Sequence, residues 1–156
     1  MTPIAVRDPR RVFDEVPFMR LLEVRRAFSA QGRAQLVLDP RPELGNVIGA
    51  VHGGVLATLV DVAMASAAVS RVDFALTAVT LDLQTSFLAP GRGRLVADGE
   101  CLHAEDGVAW CRASVQDADG QVVARAQGAF RYLPLPGGAA SAAPGASSND
   151  RPETPA

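Results

Sequence analysis

The sequence contains no lysine: its 15 basic residues are all arginines, set against 17 acidic ones, and the formal net charge is −2. So small a charge lacks the basic footprint of a nucleic-acid binder and gives no pull toward an anionic membrane surface. Cysteine is scarce. Two residues, Cys101 and Cys111, do not make the disulfide framework of a small secreted scaffold. Long apolar runs are missing too. The longest uncharged stretch before the Gly/Ala/Pro-rich end, Leu44 to Val60, is broken by Asn46, His52 and four glycines, and it falls short of the ~20 apolar residues of a spanning helix. The opening MTPIAVRDPRR has no apolar core of a secretory signal. These absences lead to the expectation of a cytoplasmic protein with reduced thiols, no nucleic-acid partner and no membrane. With six Phe, one Trp and one Tyr, a ring-lined pocket is not evident either.

What is present suits one globular domain. Hydrophobic residues make up 48% of the 156 and charged residues 21%, and a chain of ~150 residues buries roughly 68–70% of its unfolded surface. Composition changes at Pro134, where LPGGAASAAPGASSNDRPETPA begins to run without apolar period. Such a segment cannot offset its ordering entropy by burial. The expectation is a folded domain over residues 11–134, a disordered tail over 135–156, and a loosely held start up to Arg10.

Within the domain, Val12, Val16 and Met19 lie at helical spacing, with Pro17 interrupting, and predict helical turns between Arg11 and Leu22. Alternation over Leu22–Phe28 and over Ala34–Leu38 predicts two strands joined near Gly32. The stretch from Pro40 to Ala50, with two prolines and two glycines, reads as a loop. Gly54 to Ser70 then has no proline and no interior glycine, and is the clearest helix. At 100° per residue, Leu56, Leu59, Ala63 and Ser70 share one side. Gly54, Ala57, Thr58, Asp61, Ala65 and Ala68 share the other, a stripe of small residues carrying one carboxylate. Four strands follow, over Leu76–Phe87, Arg94–His103, Val108–Asp117 and Gln121–Tyr132, separated by turn signals, and three consecutive connections this short imply an antiparallel meander. The fold class is α+β: one long buried helix wrapped by an antiparallel sheet of five to six strands.

Two features point to chemistry. Asp61 sits on a mostly apolar helix, where a charge is costly unless it is paired, hydrogen-bonded or used; a salt bridge to an arginine or exposure at the helix edge would also account for it. Asn46 precedes His52-Gly53-Gly54 by six residues at the helix start, where unpaired N–H groups and the positive dipole end can hold a carbonyl oxygen or an oxyanion. Taken alone, His-Gly-Gly is equally a loop-to-helix turn.

Together, Asn46, His52-Gly53-Gly54 and Asp61 within Leu59-Val60-Asp61-Val62-Ala63 resemble the signature of the hotdog-fold acyl-CoA thioesterases, in particular their phenylacetate-type branch. Thr80-Leu81-Asp82-Leu83 and the Phe87-Leu88-Ala89-Pro90-Gly91 turn resemble that family's strand after the helix, and the likeness spans roughly residues 17–133. The resemblance implies hydrolysis of an acyl-CoA or aryl-CoA thioester without metal or cofactor, coenzyme A entering as part of the substrate. It gives Gly53 N–H the oxyanion, Asn46 the orientation of carbonyl or water, and Asp61 the role of general base or nucleophile. Thr80 would position the water, and His52 would support the loop. Gly53 and Asp61 are eight residues apart, ~12 Å along a helix, too far to serve one carbonyl from one chain. A homodimer with composite sites removes the difficulty, and the resemblance implies the same; such dimers associate further, so a homotetramer is expected.

Other constellations are weaker. Cys101, His103 and Cys111 hint at a metal, but the length of the turn at Glu105–Gly107 decides whether the thiols share a face. Ser86, Asp61 and His52 lack the nucleophile elbow of a hydrolase triad. Arg92 and Arg94 suit coenzyme A phosphates, or a solvated strand end. The rival functions are a non-catalytic acyl-CoA-binding domain and a 2-enoyl-CoA hydratase, the latter pairing a loop Asp with a later His in an order this chain does not have.

Overall fold

The computed structural model describes residues 8–135. The first seven residues and all of the expected tail beyond Leu135 lie outside them.

The helical turns at the start form two short helices, α1 (Val12–Glu15) and α2 (Pro17–Leu22), divided where Pro17 cannot donate a helix hydrogen bond and instead opens α2 at its first position. Glu23 at φ 60° ends α2 and turns the chain into β1 (Arg25–Ala30). The first strand therefore starts three residues later than its alternation predicts, because Leu22 closes a helix, with its side chain buried. β2 (Arg33–Leu38) follows, then a 3-10 turn (Pro42–Leu44), the long helix α3 (Gly53–Arg71), and β3 (Leu76–Phe87), β4 (Leu95–Glu105), β5 (Val108–Gln116) and β6 (Val122–Pro134).

All six strands form one antiparallel sheet in the order β1-β2-β4-β5-β6-β3, and α3 lies against one face. The expected four-strand meander therefore holds only for β4-β5-β6: β3 crosses to pair with β6, and β2 takes the place beside β4, because the segment from Leu88 to Arg94 is a loop and not a tight hairpin turn. This is the hotdog arrangement. Leu36, Leu38, Leu95, Val115 and Phe130 from the sheet meet Leu59, Val60 and Met64 from the helix, each of them at most 1% exposed. The helix rests directly on β4 at Gly99, where an added Cβ would stand 2.3 Å from the Ala63 carbonyl oxygen. No side chain fits there. α3 is long and apolar enough to cross a membrane, with a mean hydropathy of 1.6, but it is the core helix of this fold.

One stripe of α3 escapes the sheet: Ala57, Thr58, Asp61, Val62, Ala65 and Val69 are half-buried. Ala68, expected on that stripe, is buried completely. The sheet coils around the end of the helix, and the Tyr132 hydroxyl of β6 donates to the Ala68 carbonyl at 2.7 Å.

Candidate functional site

The half-buried stripe of α3 faces the start of β3, and there one side-chain hydrogen bond joins the two elements. The Thr80 hydroxyl donates to Asp61 Oδ1 at 2.7 Å. Strand alternation aims Thr80 at the helix together with Ala78, and a bulge at Leu81 restores the inward aim to Leu83, Thr85 and Phe87. None of the ion pairs among the described residues includes Asp61, so neither the salt bridge nor the fully exposed edge is what the fold provides. Burial pushes the Asp61 carboxyl above the ordinary aspartate range, and the Thr80 hydroxyl partly opposes the shift. Oδ2 is left for another partner.

The other half of the predicted set lies at the start of α3. His52 is the N-cap, and its Nδ1 accepts the Gly54 N–H at 3.0 Å. That bond fixes the ring across Gly54, where an added Cβ would stand 3.1 Å from Nδ1. The Val55 and Leu56 N–H groups turn back to the His52 carbonyl. Gly53 N–H has no acceptor among the described residues and points out of the helix as a free donor. Beside it lies the Phe87 ring, 3.6 Å from where a Gly53 Cβ would be.

Asn46 builds the loop in front of this helix start. Its Oδ1 accepts the Ile48 and Ala50 N–H groups, each at 3.1 Å, which orients the amide and leaves Nδ2 as the outward donor. The backbone closes the same loop through Asn46 N–H to Ala50 O at 2.8 Å and His52 N–H to Leu44 O at 2.8 Å. Arg92 clamps it from outside, donating to the Gly49 carbonyl at 2.6 Å and the Ile48 carbonyl at 3.3 Å. Arg94 makes a forked pair with Asp39, at 2.7 and 3.1 Å. Neither arginine is a loose strand-end cation.

The structure thus gathers the five residues singled out in the sequence into two groups, Asp61 with Thr80 and Asn46 with His52 and Gly53, separated along α3 by ~12 Å. Phe87 was missed as a neighbour of this helix start, although the alternation of Leu83, Thr85 and Phe87 pointed to it, and Arg92, read as a phosphate contact or a solvated strand end, is a clamp on the Asn46 loop. One helical turn beyond Asp61, a cavity of about 160 Å³ opens between α3, β3 and α1. Val62, Ala65 and Ala78 line its near side and Phe13 and Phe74 its far side, so rings do border a pocket. Arg26 stacks over both rings, 5.2 Å from the Phe13 centroid and 5.6 Å from that of Phe74. No group of three or more His, Cys, Asp and Glu gathers for a metal among the described residues, and Ser86 lies on the outer face of β3, away from His52.

Comparison with known proteins agrees with this fold. The family model of the Thioesterase superfamily matches residues 48–124. A provisionally named esterase of Saccharolobus solfataricus is 27% identical over 134 residues, 82% of this chain and 95% of the relative. One from Halobacterium salinarum is 37% identical over 93 residues, 54% of this chain and 62% of the relative. Among solved structures, a conserved protein of Pseudomonas aeruginosa superposes with a TM-score of 0.73 at 27% identity, covering 83% of this chain and all of that one. The E. coli PaaI protein from the phenylacetic acid degradation operon shares the fold, with a TM-score of 0.73 at 21% identity over 80% of this chain and 89% of its own.

Proposed function

We infer that the chain is a thioester hydrolase of the thioesterase superfamily, whose family model matches residues 48–124, and we propose that it cleaves acyl-CoA or aryl-CoA thioesters in sites shared between two copies, in the manner of the phenylacetate-type branch. The observation that carries the proposal is the Asp61–Thr80 pair: a carboxylate on an apolar helix, without a cation, held by one hydroxyl at 2.7 Å and raised in pKa by burial.

Such a group is suited to general-base work. Asp61 takes a proton from water as the water attacks the thioester carbonyl, and Thr80 fixes which carboxylate oxygen does so. Gly53 N–H of the partner copy receives the developing oxyanion, reinforced by the N-terminal end of the α3 dipole. Asn46 Nδ2 orients the carbonyl or the water, while His52 holds the helix start in place. The tetrahedral adduct then expels the coenzyme A thiolate. No metal or cofactor takes part in this sequence of steps.

The acyl group runs past Ala65 and Ala78 into the cavity bounded by Phe13 and Phe74. A closed apolar cavity of about 150 Å³ accepts a benzene ring, and the volume of about 160 Å³ here favours one aromatic ring or a short aliphatic chain. A panel of acyl-CoAs, followed by release of free thiol, tests the proposal. Steady turnover of benzoyl-, phenylacetyl- and hexanoyl-CoA is expected, with palmitoyl-CoA at least tenfold poorer. Asp61→Asn should lower kcat by ~10²–10⁴. Loss of an enoyl absorbance without thiol would instead indicate hydration, and an active Asp61→Asn would remove the proposed base.

A further inference from the structure

Far from Asp61, two thiols face each other across β4 and β5. Cys101 is the ladder partner of Cys111, and both are free. Opposed residues of an antiparallel pair have Cα atoms about 4.5–5.5 Å apart, inside the 4.4–6.8 Å that a disulfide spans. This register is not the default of the hairpin. The two-residue turn Asp106-Gly107 pairs Glu105 with Val108, and uninterrupted counting would set Cys101 against Arg112; a bulge at Leu102 moves it opposite Cys111.

The two thiols are also chemically unequal. Cys111 is 2% exposed, and the facing thiol together with burial pushes its pKa up. Cys101 lies at the rim, where Gly32 borders both it and the Arg71 side chain. The Cys111 S–H first, and the Arg71 guanidinium with it, bring the Cys101 thiol down to about 7 against the opposing effect of burial. Tyr132 stands nearby but spends its proton on the Ala68 carbonyl. The pair thus combines an attackable, partly exposed thiolate with a buried thiol directly behind it.

We propose that Cys101 and Cys111 form a reversible thiol–disulfide site for low-molecular-weight disulfides, with Cys101 as the attacking thiolate and Cys111 as the resolving thiol. The Cys101 thiolate displaces RS⁻ from R–S–S–R and becomes a mixed disulfide. Cys111 then gives up its proton to the released thiolate, attacks the Cys101 sulfur and expels the second RS⁻, which is protonated from water. The protein loses two electrons and two protons, and one disulfide becomes two thiols. Arg71 follows Asp61 by ten residues, ~15 Å along α3, so this chemistry stands apart from the proposed thioester site.

Oxidised glutathione added to the native full chain, followed by intact mass with and without alkylation, decides the matter. The expected product has lost two hydrogens in mass and both free thiols, and dithiothreitol reverses the change. Cys111→Ser, or Cys111→Ala should the serine variant fold poorly, stops at the glutathione adduct on Cys101. Cys101→Ser leaves Cys111 unmodified. The wild-type rate inflects near pH 7, following the Cys101 thiol at about 7. Two alkylatable thiols after treatment, a wild-type chain that stops at the adduct, or a Cys101→Ser chain that reacts as fast as wild type would overturn the proposal.

Discussion

An ionised Asp61 gives up part of its hydration in the fold and receives one hydroxyl in return, so the fold favours the protonated carboxyl. The unfolded chain titrates Asp61 near the ordinary value of 3.8. Below that pH both states hold the proton and the ionisation cost is absent; above the raised folded pKa it is fully present. Asp61→Asn keeps the shape and the Thr80 hydrogen bond, and should therefore melt at a higher temperature than wild type at neutral pH. The two melting curves should converge as the pH falls below the ordinary aspartate range, which thermal scans at several pH values will check. Thr80 acts in the opposite sense, lowering the pKa. Thr80→Val should shift the acidic limb of kcat/KM to higher pH, whereas a Thr80 of purely structural use would lower the plateau and leave the limb in place.

At the scale of elements, the position of Asp61 depends on how closely α3 approaches the sheet. Gly99 allows that approach, its missing Cβ lying within 2.3 Å of the Ala63 carbonyl oxygen and 3.0 Å of Met64 N. Gly99→Ala should cost roughly 1–3 kcal/mol by overpacking, seen as a lower melting temperature. It should also reduce turnover beyond what the loss of folded protein explains, since Ala63 is two residues from Asp61. Much of this architecture was legible beforehand. The long helix, the succession of strands along the chain and the turns at Asp106-Gly107 and Asp117–Gly120 follow from local chemistry, because glycine and period-two patterning act over a few residues. The pairing of β3 with β6 in place of β4 is a long-range choice that this patterning does not encode. The bulges at Leu81 and Leu102 were not legible, the first being settled by pairing with distant β6 and the second by how β4 and β5 pack beyond their turn. Nor were the burial of Ala68, which depends on the coiling of the sheet, and the use of Arg92 as a loop clamp from 43 residues away. The candidate residues were legible as a motif, and their division into two groups follows from helix geometry.

The whole molecule leaves an unsatisfied edge. β3 is 12 residues long, ends the sheet beside the Asp61 stripe, and exposes Val79, Leu81 and Phe87 at 43–55%. Long apolar edge strands are otherwise blunted by charge, proline or cover, and the tip of the Asn46 loop adds exposed Val47 and Ile48. Pairing of two β3 edges about a two-fold axis would cover these groups and bring the start of one α3 toward the Asp61 of the other. A deletion of the Gly53 N–H alone is available, because proline is tolerated at the first helical position and His52, at φ −62° and ψ 139°, already has the conformation that proline requires of its predecessor. Gly53→Pro and Asp61→Asn homodimers should each be nearly inactive. The decisive measurement is the activity after equal amounts of the two are mixed and allowed to exchange subunits. Shared sites predict recovery to about one quarter of wild type, since half the dimers are mixed and each of these holds one intact site. No recovery once exchange has been verified, or a strictly monomeric protein, would contradict the account.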